Sequence, residues 1–262
     1  MNRERELELL LTDSEATVLV CLQSLYHDVA APVLERTAVR TVLTTSELDF
    51  QTRADPRSFD RSQRVDCPGA TDLVELIERF RGQTPPPVSF TADDIAFLTY
   101  TSGTTGPPKG AMNTHGNVTF NAQTYREWCR LGPDDVVLGV APLFHVTGLI
   151  AGIAVAQLIA APLVLFHRFE PSLGIDVIRE HRPTFTVGSI TVFIALMNAP
   201  NADPEALSSL GKIWSGGAPR PAPATAERRH HPACRTTHLT GQLGGGVPGD
   251  GPCTTSITVR SR

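Results

Sequence analysis

The sequence predicts an α/β fold of layered, mostly parallel sheets flanked by helices, and three observations carry that expectation. Amphipathic helical stretches alternate with short apolar strands, the order that yields parallel strands joined by crossover helices. The strands at residues 16–22 and 163–166 are nearly continuous apolar runs, as in a sheet covered on both faces. With 262 residues, 41% hydrophobic and 19% charged, the chain has an ordinary globular composition and a sizeable core. That length allows one large domain or two small ones.

In order along the chain, residues 3–13 read as an amphipathic helix and residues 16–22 as a buried strand. A second helix-then-strand unit follows at 25–36 and 40–44. Residues 46–70 are polar and irregular, 72–80 are helical, and Gln83-Thr84-Pro85-Pro86-Pro87 is a stiff linker. The apolar run 95–98 is a strand. A helix is expected over 115–131, with Asn113 or Asn117 near its start, and a strand over 135–140. Residues 146–166 are almost free of charge and, at ~20 residues, long enough to span a bilayer. Gln157, two glycines and Pro162 argue against a span, as does the change at Ala161-Pro162 to a strand-like Leu163-Val164-Leu165-Phe166. A buried helix followed by a buried strand is the expectation here. A helix over 174–181, a strand over 184–187, a helix over 191–197 and a strand over 212–214 complete the pattern. There is no internal repeat.

After Pro219 the composition changes. Residues 220–262 hold no aromatic residue and no lysine, and Leu239, Leu243, Val247, Ile257 and Val259 are their only large aliphatic side chains. Six arginines stand there against two acids, whereas the whole chain carries −4. Such a segment buries too little apolar surface to offset ordering its backbone. It reads either as a disordered tail or as translation in a shifted frame. The expected organisation is therefore one partial domain over 1–219 and a low-order segment over 220–262. The net negative charge argues against nucleic acid as a partner. Five scattered cysteines without a Cys-x-x-Cys pair read as reduced thiols, and the N-terminus shows no signal-peptide pattern. The expected location is cytoplasmic, with at most peripheral membrane contact.

The chemistry concentrates at Tyr100-Thr101-Ser102-Gly103-Thr104-Thr105-Gly106-Pro107-Pro108-Lys109-Gly110. Glycines let successive backbone N–H groups converge on one point, and the hydroxyls of Thr101, Ser102, Thr104 and Thr105 add donors. The resulting concavity favours an anion, above all a polyphosphate. Lys109 supplies a compact point charge. It is one of only two lysines, the other being Lys212, in a chain that otherwise uses arginine. A Walker loop needs Gly before the lysine and Ser or Thr after it. Pro108 and Gly110 stand there instead.

The segment resembles the AMP-binding signature of adenylate-forming enzymes, and the chain resembles their acyl-CoA synthetase branch over about residues 3–219. Ala141-Pro142-Leu143-Phe144-His145-Val146-Thr147-Gly148 is similar to the family's Pro-x-Phe-His-x-x-Gly segment, which makes His145 a candidate catalytic residue near the acyl and thiol channels. Ser215-Gly216-Gly217-Ala218-Pro219 is similar to its adenine-contacting turn, and the segment from Arg182-Pro183-Thr184 to Leu196 to its acid-binding wall. The resemblance implies the large N-terminal domain of an adenylate-forming ligase, in incomplete form. It implies ATP, Mg²⁺ and coenzyme A, and a fatty or similar hydrophobic carboxylic acid activated first to acyl-AMP and then to acyl-CoA. Phosphate binding would fall to Thr101, Ser102, Gly103, Thr104, Thr105, Gly106 and Lys109, and adenine binding to Gly216, Gly217, Ala218 and Pro219. The family's Tyr-Gly-x-Thr-Glu segment, whose acid helps hold Mg²⁺, is replaced by Thr237-His238-Leu239-Thr240-Gly241-Gln242-Leu243-Gly244. The ribose-binding aspartate, the hinge and the small lysine-bearing C-terminal domain are also missing. A resemblance that stops where the composition breaks favours the shifted frame, and it opens the alternative of a non-catalytic nucleotide-binding remnant.

Overall fold

A computed structural model describes residues 3–51, 55–101, 108–215, 236–239 and 257–258, the last two segments as backbone only. The chain divides into two compact units. One comprises residues 1–90 and 100–110, the other residues 91–99 and 111–262.

In the first unit, helix α1 (Glu4–Asp13) precedes strand β1 (Val18–Leu22). Strands β2 (Thr41–Thr45) and β3 (Thr71–Asp72) complete a three-stranded parallel sheet in the order β1-β2-β3. Tyr26, Ala30 and Val42 form its buried centre, with Leu7, Leu19 and Leu34 packed around them. Two expectations need correction. Strand β1 is not buried: it is an edge strand, and its outward side chains Val18 and Val20 are 51% and 53% exposed. Only Leu19 and Cys21, on the other face, pack against the core. The expected helix over 25–36 is instead a run of tight and wide turns, 3₁₀ at Gln23–Leu25, π at Tyr26–Ala30 and 3₁₀ at Ala31–Arg36. Pro32, with no N–H to give, stands at the start of the last turn and prevents a regular ladder there. A one-turn helix α2 (Pro56–Phe59) follows, with Asp55 accepting from the N–H of Arg57. Helix α3 (Leu73–Arg79) starts where Asp72 accepts from the N–H groups of Val74 and Glu75.

Strands β4 (Ile95–Thr101) and β5 (Lys109–Thr114) form a two-stranded sheet. The second unit is built on a larger sheet of strands β6 (Val137–Gly139), β7 (Leu163–Leu165), β8 (Phe185–Gly188), β9 (Lys212–Ser215), β10 (Thr236–Leu239) and β11 (Ile257–Thr258). Their order is β11-β10-β9-β8-β6-β7, parallel throughout except for β11. Helices α4 (His115–Cys129) and α5 (Val155–Leu158) cover one face, where Val137, Phe185 and Trp214 meet Ala122, Val155 and Ile159. Helices α6 (Pro171–His181) and α7 (Ile190–Met197) cover the other, where Leu138, Val140 and Ile213 meet Ile175, Ile178, Phe193 and Leu196. Successive strand residues point to opposite faces and both faces are buried, so the strands read as continuous apolar runs. Thr186 is fully buried in β8, with its hydroxyl donating to the carbonyl of Leu138 at 2.8 Å.

The apolar segment 146–166 divides as expected. A π-helical stretch, Gly148–Ala154, runs into α5, and the chain then breaks at Ala160-Ala161-Pro162 before β7. Among the described residues no helix is long and apolar enough to cross a membrane. The cap of α4 is Thr114, whose hydroxyl accepts from the N–H of Asn117, rather than either asparagine. Helix α6 starts three residues earlier than expected, because Pro171 occupies its first turn and Glu170 accepts from Ser172 and Leu173. Of residues 220–262, β10 and β11 are the described parts, and β10 pairs with β9. The expected low-order segment otherwise lies outside the described residues.

Candidate functional site

In the second unit, the connection after β6 leads to β7 on one side, while the connection after β8 leads to β9 on the other. The carboxyl ends of β6 and β8 therefore flank a topological switch point, the place where open parallel sheets bind ligands. A small pocket lies there, lined by Leu138, Gly139, Ala141, Thr147, Gly148, Ala151, Gly152 and Val187. The lining side chains are mostly small, and the space has room for about one water molecule.

The loop that carries His145 leaves β6 and borders this pocket. The His145 N–H donates to the carbonyl of Pro142 at 3.0 Å, and its own carbonyl accepts from Leu149 at 3.0 Å, so helical bonding begins at the histidine. The N–H of Thr147 donates to Nδ1 of His145 at 3.1 Å, and the Thr147 hydroxyl lies 3.1 Å from the same atom. A nitrogen that accepts a backbone N–H carries no proton in the neutral ring, so the proton sits on Nε2. The ring is exposed, and Nε2–H is its outward donor. Phe144 beside it is 85% exposed. Gly148 makes the loop possible: a Cβ there would lie 2.3 Å from the Pro142 carbonyl oxygen and 2.9 Å from that of Ala141. Both neighbours are backbone, so no rotamer change relieves the clash.

The segment from Arg182 to Leu196 does not stay at this edge. Thr184 stands at the opposite, amino-terminal edge, where its hydroxyl donates to Asp135 Oδ1 at 2.6 Å. Only β8 and the start of α7 reach the switch point, where the hydroxyls of Ser189 and Thr191 lie 2.7 Å apart.

Lys212, the second lysine, is bound to that same amino-terminal cluster. Its Nζ lies 2.8 Å from both carboxylate oxygens of Asp135 and donates to the carbonyl of Arg130 at 2.9 Å. The N–H of Gly132 donates to Asp135 Oδ2 at 2.9 Å. Burial alone would raise the Asp135 pKa, but donation from Lys212, Thr184 and Gly132, with the charge of Lys212, holds it below the usual carboxylate range.

In the first unit, Lys109 opens β5 with an exposed side chain. Next to it, a Cβ on Gly110 would lie 3.2 Å from Cζ of Tyr100, so the tyrosine ring covers the glycine. The Tyr100 hydroxyl donates to Oδ2 of Asp13 at 2.6 Å. Burial, then this bond to a carboxylate, pushes the phenol pKa up to about 12, so it remains a donor at all physiological pH. Thr101 ends β4. Ser102, Gly103, Thr104, Thr105, Gly106, Gly216, Gly217, Ala218 and Pro219 lie outside the described residues, the last four directly after Ser215 of β9. Sequence reasoning quoted Tyr100 and Gly148 inside their motifs without a role, and it missed Asp13. No local pattern marks an aspartate 87 residues away as the partner of Tyr100. Among the described residues no group of three or more His, Cys, Asp or Glu side chains stands together as a metal site.

A family of AMP-binding enzymes matches residues 1–242, so the match continues past Pro219. The chain belongs to this AMP-binding enzyme family. It is 30% identical over 233 residues to a long-chain-fatty-acid–CoA ligase of Bacillus subtilis, covering 83% of this chain and 40% of the relative. It is 37% identical over 139 residues to a feruloyl-CoA synthase of an Amycolatopsis species, covering 53% of this chain and 28% of the relative. Among solved structures, a long-chain-fatty-acid–CoA ligase of Archaeoglobus fulgidus superposes with a TM-score of 0.71 at 26% identity, over 92% of this chain and 46% of that one. The chain thus spans less than half the length of each of these three proteins.

Proposed function

We propose that this chain provides the nucleotide-phosphate and carboxylate-activating part of an ATP-dependent acid–CoA ligase. The observation that carries the reading is the loop after β6. It presents an exposed His145 whose Nδ1 accepts from Thr147, in a loop fixed by Gly148, and the same loop borders a small pocket at the switch point of the sheet. In the proposed reaction a carboxylate oxygen attacks the α-phosphorus of ATP, the bond to the β-phosphate bridging oxygen breaks, and acyl-AMP and pyrophosphate form. The thiol of coenzyme A then attacks the acyl carbon, loses its proton and expels AMP.

Lys109, Thr101, Ser102, Gly103, Thr104, Thr105 and Gly106 are assigned to the ATP phosphates, where fixed N–H and hydroxyl donors stabilise the charge developing on pyrophosphate. The N–H of His145 Nε2 is assigned to the acyl oxygen. Gly216, Gly217, Ala218 and Pro219, which follow β9 in the sequence, are assigned to adenine. Mg²⁺ would add charge neutralisation at the phosphates. The described residues offer no carboxylate set to hold it, and the chain has neither Tyr nor Glu in 237–244, so no step is assigned to the metal.

For the acid, we favour a fatty or similar hydrophobic carboxylic acid. The long match to a fatty-acid ligase supports an aliphatic ligand. The shorter match to a feruloyl-CoA synthase makes an aromatic acid the competitor. Replacement of the Tyr-Gly-x-Thr-Glu segment favours a second reading for this polypeptide alone, a nucleotide-binding protein without turnover. Calorimetric titration with ATP·Mg, followed by an assay for acyl-CoA with decanoate and with ferulate, tests both. Saturable ATP binding without thioester formation is the expected result. Thioester formation by the purified chain would overturn the second reading, and absence of ATP binding would overturn both.

A further inference from the structure

The first unit contains a contact that the signature loop alone does not explain. Tyr100 precedes the loop and Gly110 follows it, and the Tyr100 ring lies over Gly110 so closely that a Cβ there would sit 3.2–3.4 Å from Cζ, Cε1 and Oη. The far end of the same side chain is tied down, its hydroxyl donating at 2.6 Å to Asp13 in the last turn of α1. One side chain thus joins the strand entering the loop, the strand leaving it and a helix 87 residues earlier in the sequence. Lys109, adjacent to Gly110, has an exposed side chain and no ion pair among the described residues.

We infer that Tyr100 and Asp13 are positioning residues for phosphate binding. The phenol ring clamps Gly110, and Asp13 fixes the ring, so that the backbone carrying Lys109 is held in place before the nucleotide arrives. The inference rests on the ATP-binding reading given above. Its physical basis is preorganisation: when the hairpin base is already fixed, less conformational freedom is lost on binding. Without the clamp, the same lysine and loop remain but must be ordered by the ligand itself. Gly110 suits the same geometry, since a methyl group there would need the ring to give by a few tenths of an ångström.

The chain's two lysines make the test direct. Lys212 is held by Asp135 and Arg130, so Lys109 is the exposed one, and its rate of acylation by an amine reagent is readable by peptide mass spectrometry. The full chain and its Tyr100→Phe, Tyr100→Ala, Asp13→Ala and Asp13→Ala/Tyr100→Phe variants would be titrated with ATP·Mg, and Lys109 labelling measured with and without ATP. Losing one hydrogen bond to a charged group should weaken ATP binding roughly three- to tenfold in Tyr100→Phe, and equally in Asp13→Ala. The double variant should be no worse than either single one, because both remove the same bond. Tyr100→Ala should lose more, roughly ten- to thirtyfold, because the ring contact goes too. Lys109 protection by ATP should fall in parallel, while the global urea midpoint, set by the two cores, moves little in Tyr100→Phe. If the original chain binds ATP and these variants bind it equally well, or if the losses in the double variant add, the positioning role is wrong and the nucleotide reading stands. If the original chain neither binds ATP nor protects Lys109, the nucleotide reading itself fails and takes this inference with it.

Discussion

The two edges of the larger sheet are built in opposite ways. At the amino ends of β6, β8 and β9, Asp135 accepts from Lys212, Thr184 and Gly132, and Lys212 donates onward to Arg130. The charges there are spent on one another. At the carboxyl ends, the loop after β6 places His145 and Phe144 in solvent, and β8 ends in a pair of hydroxyls. The contrast explains why the chain keeps only two lysines. Lys212 sits in a closed bidentate pair at 2.8 Å, whereas Lys109, in the other unit, presents an exposed ammonium beside the signature loop. Open α/β sheets commonly bind their ligands at the carboxyl ends of the strands.

Substitutions that treat the edges alike would break this contrast. The largest stability effect is expected at the closed edge. Asp135→Ala strands the Lys212 ammonium and two further donors, and should cost about 2–3 kcal/mol in urea unfolding, at the low end for a broken buried pair because Lys212 is one-third exposed. A smaller cost there would mean that the cluster is replaceable by water. Next is Gly148→Ala. Its methyl group meets two backbone carbonyls, so the loop must move; a cost of about 1–3 kcal/mol is expected, with His145 displaced from Thr147. An NMR titration of the His145 ring in both forms would detect that displacement.

Acid should act on the closed edge in a defined direction. The folded pKa of Asp135 is depressed, so its stabilisation is present above the unfolded value of about 3.9 and is lost as pH falls through the folded one. The difference in stability between the original chain and Asp135→Asn should therefore shrink on going from pH 7 to pH 3. A difference that stays constant with pH would show that the carboxylate's charge is not what matters. Removing the cap of α4 with Thr114→Ala should cost about 1 kcal/mol, a local effect belonging to neither edge. The smallest effect belongs to the open edge: His145→Ala should change stability by less than about 0.5 kcal/mol, because the ring is exposed. A larger loss would mean that the histidine is structural.

Much of this arrangement was legible in the sequence. Local signals placed α1, α3, α7 and β9 to within a residue or two, since apolar periodicity and cap residues act over one or two turns. Pro171 after Glu170 was a readable start for α6 that the periodicity alone placed too late. Residues 25–36 look helical by period, yet fold as 3₁₀ and π turns around Pro32, because packing on Val42 outweighs weak helix propensity. Lys109 and His145 were singled out by residue type and by motif resemblance. Their supporting contacts were not, because Pro142 against Gly148, and Asp13 against Tyr100, are meetings in space.

The sequence by itself therefore determined the fold class, the positions of most elements and the family to which the chain belongs, all of which are carried by local patterns. Which strand lies at an edge, which lysine is paired and which is exposed, and which glycine has no room for a Cβ were decided only when distant segments packed together. Apolar Val18 and Val20 read like core residues, but strand order leaves them exposed. Lys212 reads like any surface charge, but the register of β6, β8 and β9 delivers it to Asp135. Burial, ion pairing and close backbone approach are properties of neighbours in space, and for these residues the neighbours come from other parts of the chain.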